Sequence, residues 1–231
     1  MNLTKLIKLL QENMTPDDAA FMSAVESGDA TILQKMVDYA AKSKGYTLET
    51  WRGETNEEDH SDFSRRRETG IFTSQNKDFA AQYATHAGSR KSRGEPRRFY
   101  VKANRILDLE SPDRAAHQWM DEWGKNWADD GWIDRGSGEE VEVSDLIAGG
   151  TLYDYEGDWS GTRWSDLQKS ARADGYDVLI APDAGDGDDT TSTIILNPKH
   201  IKLARAITRD DDEQIIPISQ RFNSESTDVR F

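Results

Sequence analysis

Hydrophobic positions in the first 45 residues recur at helical spacing. Residues 16–27 open with a proline followed by two acids, which is typical of a helix start, and Gly28 ends this run. A second run of apolar residues at steps of three and four ends at Gly45: Ile32, Leu33, Met36, Val37, Ala40 and Ala41. With an amphipathic helix expected over residues 1–14, this pattern predicts a helical lead-in spanning residues 1–45.

From residue 46 the pattern changes to short runs of β-branched and aromatic residues bounded by polar turns. Residues 46–52 and 70–74 predict the first two strands. A helix with one apolar stripe follows: Phe79, Ala80, Tyr83 and Ala84. RRFYVKA and RILDL predict a pair of strands, and YDVLIAP, TTSTIILNP, IKLARAIT and IIPIS predict four more. The last dozen residues are expected to form a frayed tail. Short strands with helices at the front and in an insertion predict an α+β fold.

Tryptophans mark the insertion, which we place at about residues 111–165. Six of the seven tryptophans lie between Trp119 and Trp164. Trp119, Trp123 and Trp127 are four residues apart, which puts them on one face of a helix. This face fits either a small aromatic core or an aromatic surface for a ligand or partner. A further helix is predicted at residues 163–173.

Composition limits the classes of protein to which the chain can belong. Its 231 residues are 35% hydrophobic and 31% charged, which suits one large domain with an insertion. The net charge of −14 makes a nucleic-acid backbone or an anionic membrane an unlikely partner. We find neither a signal peptide nor a run of about 20 apolar residues. The sequence therefore predicts a cytoplasmic protein.

Metal and thiol chemistry find little support in the sequence. The chain has no cysteine, so a thiol nucleophile, a disulfide and a cysteine zinc site are excluded. Its four histidines are scattered. The acidic turn at residues 183–189 does not match a calcium loop, because counting from Asp183 or Asp186 gives neither a glycine sixth nor an acid twelfth. We predict no metal site and interpret this turn as the rim of a hairpin.

Four phrases stand in a fixed order: AVESGDATILQKMVDYAAKSKGYT, TWRGET, GIFTSQNKDFAAQYA and GYDVLIAP with TSTIILNPKHIKLA. In this order they resemble the ADP-ribosyltransferase domains of phage and mobile-element polyvalent proteins, which are distantly similar to the poly-ADP-ribose polymerase catalytic fold. RRFYVKANRILDLESP also resembles a stretch of this family, and the likeness covers most of residues 20–205 outside the insertion. It implies a split, strongly bent β-sandwich that holds NAD between two sheets. The implied domain is residues 46–208, followed by a C-terminal strand and tail at 209–231.

The resemblance assigns a cofactor-binding set. Arg52 stands where polymerase-like enzymes have histidine and toxin-like members have arginine, and its guanidinium is expected to bind the ribose or the pyrophosphate. The backbone of Gly53 is expected to meet the nicotinamide amide, and the ring of Phe72 to pack on the nicotinamide, facing Arg52. The remaining members line the same strand or brace it from the following helix: Thr73, Ser74 and Tyr83.

The same resemblance exposes one departure, at the place of the catalytic glutamate. Counting back from Asn197, this place is taken by Ser192, which can bind a ribose hydroxyl but carries no negative charge. Among the acids that could substitute, we favour Glu54, because it lies beside Arg52. The others are Glu68, Asp188 and Asp189.

The implied activity is that of a phage-type mono-ADP-ribosyltransferase. It moves ADP-ribose from NAD to a host protein or another macromolecule in the bacterial cytoplasm, without a metal. An alternative stays open: a catalytically impaired fold that serves as a binding, inhibitor or virion-associated module. A hydrolase-like use of the same cleft is a third possibility.

Overall fold

The computed structural model describes residues 16–53, 70–86, 95–111, 113–125, 160–182 and 191–231. Its helices are α1 (Pro16–Ser27), α2 (Ala30–Ser43), α3 (Lys77–His86), α4 (Arg114–Lys125) and α5 (Ser160–Ala173). Its strands are β1 (Leu48–Gly53), β2 (Ile71–Thr73), β3 (Pro96–Val101), β4 (Ile106–Asp108), β5 (Val178–Pro182), β6 (Thr191–Ile195) and β7 (Ile201–Leu203). The α+β class predicted from the sequence is confirmed.

The strands form two sheets. The first sheet has the order β1-β3-β7, and both of its pairings are antiparallel. The second sheet has the order β2-β6-β5-β4, in which only β4 and β5 run parallel. The predicted pairing of RRFYVKA with RILDL is therefore wrong, because β3 and β4 belong to different sheets. Asp177 directs this separation, since its Oδ2 accepts the backbone N–H groups of Asn104 and Arg105, 2.9 and 3.2 Å away, just before β4.

An inter-sheet core lies between the facing sides of the two sheets. Its members come from both sheets and from the C-terminal segment, residues 204–231: Ile71, Phe99, Val101, Val178, Ile195, Ile201 and Val229. Because side chains alternate between the faces of a strand, the neighbours of these residues point to the two outer faces.

The outer face of the second sheet is covered by α4 and α5, and we call it the helix-covered face. Leu107, Leu179 and Ile194 form a row across the strands and pack against both helices. Trp123 is buried there and stacks on Trp119, with ring centroids 6.3 Å apart. For these two tryptophans the aromatic-core interpretation is confirmed, while Trp127 lies outside the described residues.

The outer face of the first sheet is covered by α1, α2 and the C-terminal segment. Both predicted helices are confirmed, and Asp29 caps α2 by accepting the N–H groups of Thr31 and Ile32 at 3.1 and 3.0 Å. The apolar stripe of α2 packs as expected through Leu33, Val37 and Ala41. The core that these helices form also includes Tyr46, Tyr100, Ala204, Ile218 and Phe222.

The C-terminal segment is packed against the body of the protein, so the expected frayed tail is wrong. Arg221, Phe222 and Val229 are each at most 3% exposed. The stretch IIPIS, predicted as a strand, contributes one bridge between Ile215 and Arg209 and a 3-10 turn at Ile218–Gln220.

Two lysines, buried Lys202 and exposed Lys44, hold this segment through its backbone carbonyls. Lys202 Nζ donates to the carbonyls of Ser226 and Asp228 at 2.7 and 3.0 Å, and burial lowers the pKa of Lys202 to about 8. Lys44 Nζ donates to the carbonyls of Ser219 and Arg221 at 3.0 and 2.7 Å. Lys44 lies 175 and 177 positions before the residues whose carbonyls it holds, which local pattern cannot reveal.

Several expectations fall on residues that are not described. These are the helix at 1–14, most of the insertion and the acidic turn at 183–189. Among the helices that are described, none combines the length and the apolar character needed to cross a membrane.

Candidate functional site

The two sheets meet at one point, which we call the junction. Trp51 and Ser74 exchange backbone hydrogen bonds there, with N–H···O distances of 2.7 and 2.8 Å. Phe72 lies two residues before Ser74, so its carbonyl points to the same side, toward β1. Arg52 Nη1 donates to this carbonyl at 2.7 Å. The guanidinium therefore spans the gap where the strands of the two sheets begin to separate.

Buried hydroxyl groups surround the junction. Thr50, Thr73, Ser74, Ser192 and Thr193 are each no more than 5% exposed. Thr73 Oγ1 donates to the Thr193 carbonyl at 2.7 Å, and Ser74 Oγ donates to the Thr191 carbonyl at 3.0 Å. These bonds tie β2 to β6.

Two of these hydroxyls are not used by the fold. The Oγ1 atoms of Thr50 and Thr193 are buried and have no hydrogen-bond partner among the described residues. Thr50 and Thr193 face the inter-sheet side, because Phe99 and Ile180, which lie opposite them, pack in or against the inter-sheet core. Buried hydroxyls of this kind call for an explanation, and a polar ligand between the sheets supplies one.

Strand alternation turns two of the expected site residues to the helix-covered face. Phe72 lies opposite Ile194 and packs against the core beneath α4 and α5. Ser192 lies opposite Ala181, which belongs to the same core. Arg52 thus meets the backbone of Phe72 and not its ring, so the expected facing of guanidinium and ring is wrong.

The place expected for the catalytic glutamate shows the same effect of alternation. Because Ser192 faces the helices, its neighbours Thr191 and Thr193 lie on the inter-sheet side, as Ile195 does. A count that is off by one residue selects the wrong face of a strand.

The other expected residues are only partly described. Gly53 ends β1 opposite Pro96 and is partly buried. The backbone of Tyr83 lies in α3, but its ring is outside the described side chains. All four candidate acids also lie outside the described residues: Glu54, Glu68, Asp188 and Asp189.

Glu110 is an acid near the site that sequence reasoning missed. Its Oε2 accepts a hydrogen bond of 2.6 Å from Thr191 Oγ1, at the start of β6. A signal was present, since β4 and β5 are parallel strands whose carboxyl ends meet at one edge of the sheet. An acid two residues after RILD therefore lies at the edge where β6 begins.

The opposite end of the second sheet carries a different polar cluster. It lies beside a cavity of about 690 Å³ lined by residues that include Tyr176, Asp177 and Lys199. His200 Nδ1 lies 3.1 Å from Asp177 Oδ1. Burial lowers the pKa of His200, and the nearby Asp177 carboxylate opposes this shift only in part. This cluster anchors the chain between β6 and β7.

The described residues offer no metal site, and no known protein matches the chain. Within the described ranges, no three acid or histidine side chains are grouped so that they could hold a metal ion. Comparison of the chain with known proteins finds no matching family model, curated protein or solved structure. The likeness to ADP-ribosyltransferases therefore stays a prediction from the sequence phrases.

Proposed function

We propose that the chain is an ADP-ribosyltransferase of the phage type, which binds NAD at the junction between the two sheets. One observation carries the proposal: Arg52 spans the point where the sheets separate, with its Nη1 on the Phe72 carbonyl. A guanidinium offers five donors in a rigid fork that matches phosphate oxygens, so it can keep one bond to the protein and offer others to a dinucleotide.

The proposed reaction breaks the bond between nicotinamide and the ribose C1′ and forms a bond from C1′ to a nucleophilic side chain of the target. Nicotinamide leaves as a neutral molecule, and the proton of the nucleophile passes to a base. Positive charge develops on the ribose in the transition state, so an anionic group nearby accelerates the reaction. Glu110, bonded to Thr191, is our candidate for this group.

The buried hydroxyls suit the rest of the dinucleotide. Thr50 Oγ1 and Thr193 Oγ1 face the inter-sheet side without partners among the described residues, and each can donate to or accept from a ribose hydroxyl. Phe72 packs against the core beneath the helices, so its ring is not proposed to stack on nicotinamide. We assign no residue in its place.

The macromolecule modified is proposed to be a host protein in the bacterial cytoplasm. The net charge of −14 favours a protein target over nucleic acid, because phosphate backbones are repelled by such a surface.

Transfer of labelled ADP-ribose from NAD to proteins of a bacterial lysate tests the proposal. Arg52→Lys keeps the charge but loses the fork, and Glu110→Gln removes the charge but keeps the shape. We expect losses of at least about 100-fold for each, the size seen when one transition-state contact is removed. Arg114→Gln, at an exposed position of α4, is the control and should retain full activity. Label that is absent with the wild-type protein, or unchanged in Arg52→Lys, contradicts the proposal.

A second function is favoured by one observation. Phe72 and Ser192 face the helices, and a fold that has lost catalysis would tolerate this arrangement. The chain would then act as a binding, inhibitor or virion-associated module. Tight binding of NAD or of a lysate protein, with no transfer of label and no release of nicotinamide, would select this function.

A further inference from the structure

Three arginines stand side by side on the inter-sheet face of the first sheet. Arg52 and Arg97 are direct partners across β1 and β3. Phe99 pairs with Leu203, and the Ala204 N–H donates to the Arg98 carbonyl at 3.0 Å, so the same register places Arg205 beside Arg97. We call Arg52, Arg97 and Arg205 the arginine row.

The row brings like charges close together. Side chains directly opposite across a sheet have Cβ atoms about 4.5–5.5 Å apart, and like charges at this distance destabilise the pairing. The protein as a whole carries a net charge of −14, so the row is a local concentration of positive charge in an acidic protein.

The row leads into a cavity of about 380 Å³ between β7 and the C-terminal segment. Arg97 and Arg205 line it together with Thr208, Arg209 and Arg230. Its apolar members are Leu203, Ile207 and Val229. Thr208 is 4% exposed, and its Oγ1 has no hydrogen-bond partner in the part of the chain that the structure describes. The cavity therefore combines several arginine side chains with one buried hydroxyl, that of Thr208.

Two acids, Asp210 and Glu213, also line this cavity. Asp210 Oδ1 accepts the backbone N–H groups of Asp212 and Gln214 at 3.0 and 2.8 Å, within its own turn. Glu213, the other acid of the lining, takes part in the turn with a positive φ of 60° and gives its carbonyl to Arg209 Nη1 at 2.6 Å.

The basic side chains divide into two kinds. Arg230 is paired with Asp228 and Asp211, each with a contact of 2.7 Å. Arg205 is exposed, and its guanidinium makes no hydrogen bond or ion pair to any described residue. Arg205 is therefore the cation most available to a ligand.

We propose that this cavity is an anion site that binds the phosphate groups of a phosphorylated small molecule, with Arg205 and Arg97 as its principal cations and Thr208 as a hydrogen-bonding partner. Arginine recognises phosphate through paired N–H···O bonds, and a volume of 380 Å³ exceeds the needs of inorganic phosphate alone. The proposal stands apart from the transferase activity, because it needs neither NAD nor Glu110.

Calorimetric titration of the full chain with inorganic pyrophosphate tests the proposal. We expect measurable binding that weakens as salt is raised, because salt screens charge pairs. Arg205→Gln, at an exposed position, should raise the dissociation constant at least about tenfold. The dissociation constant of Arg205→Lys should lie between those of the wild-type protein and Arg205→Gln. Arg97→Gln should have an effect like that of Arg205→Gln. The control Arg114→Gln removes the same charge from the other side of the second sheet and should leave binding unchanged.

Three outcomes would overturn the proposal. They are no binding of pyrophosphate, equal weakening by Arg114→Gln and Arg205→Gln, and loss of binding in Arg52→Lys with none in Arg205→Gln. The last places the anion at the junction and not in the cavity. Binding that depends on Arg205, in a protein that transfers no ADP-ribose, would support this site while removing the proposed function.

Discussion

Two arginines donate to backbone carbonyls in different regions of the molecule, and their surroundings differ. Arg221 is 1% exposed and donates to the carbonyls of Leu203, Arg205 and Ala206 at 3.0, 2.7 and 3.2 Å. Arg52 is partly exposed and donates through Nη1 to the Phe72 carbonyl at the junction. The first guanidinium is enclosed by the carbonyls that it holds, whereas the second stands at an opening between two sheets.

The difference separates a structural cation from one that can serve a ligand. Burial lowers the pKa of Arg221 to about 10, which is the mark of a cation removed from water and held by the fold. Arg52 has another arginine, Arg97, as its direct neighbour, an arrangement that favours the approach of an anion. Substitutions in each region test this contrast.

The largest effect is expected at Arg221. Arg221→Met should lower the free energy of unfolding by about 3 kcal/mol or more, because three carbonyls lose a charged donor in a buried place. Urea denaturation measures this loss. Arg221→Lys should recover part of it, since one ammonium can reach some of the carbonyls. A loss below about 1 kcal/mol would show that the C-terminal segment is held by its apolar contacts alone.

The next effect is expected at Gly70, which leads into β2. Its φ is +65°, and an added Cβ would lie 2.6 Å from Ile194 Cγ2 and 2.9 Å from Gln168 Oε1. Gly70→Ala should therefore cost about 2–4 kcal/mol, from backbone strain and overpacking together.

Gly28 offers a matched control for this substitution. Its φ is +70°, but an added Cβ meets no atom within 4 Å. Gly28→Ala should cost only about 1–2 kcal/mol, from strain alone. Equal losses in the two variants, measured in urea, would mean that the space around Gly70 adapts and that β2 is not fixed by this contact.

A smaller effect on stability is expected at Arg52. Arg52→Lys should change the free energy of unfolding by about 1 kcal/mol or less, because Arg52 is partly exposed and a lysine keeps the positive charge that donates to the Phe72 carbonyl. Thermal unfolding of this variant beside Arg221→Lys compares the two regions directly. A loss at Arg52 as large as that at Arg221 would make both arginines structural and remove the contrast.

The smallest effect is expected from pH at His200. Its pKa is lowered in the fold from the usual 6.5, so the folded state favours the neutral ring. The stability that this ring contributes is present above pH 6.5 and is lost as pH falls through the lowered folded pKa. Unfolding measured at pH 8 and pH 5 should lose less stability on acidification in His200→Gln than in the wild type. The exposed His117→Gln is the control and should behave as the wild type.

Local signals explain how much of the fold could be predicted. The helix α1 was predicted because Pro16 and the two acids after it mark its start, and α2 because its apolar residues recur at steps of three and four. The strands were found from their composition, but their assignment to sheets was not, since β3 and β4 separate through the bonds of Asp177, about 70 positions further along the chain.

For the candidate site too, the sequence predicts what depends on nearby residues and misses what depends on distant ones. Arg52 was correctly associated with β2, because two strand ends and their order suffice for this. Ser192, expected at the place of the catalytic acid, lies on the helix-covered face, and a shift of one residue along a strand would reverse this. Glu110 was overlooked, since its role depends on the parallel pairing of β4 with β5.

Calorimetric titration with NAD tests the central claim, that the guanidinium at the junction holds a nucleotide, most directly. The wild-type protein and Arg114→Gln should bind NAD equally well, and Arg52→Lys should bind at least about tenfold more weakly while remaining folded. Binding of NAD that is unchanged in Arg52→Lys, or no binding by the wild-type protein, would contradict the claim.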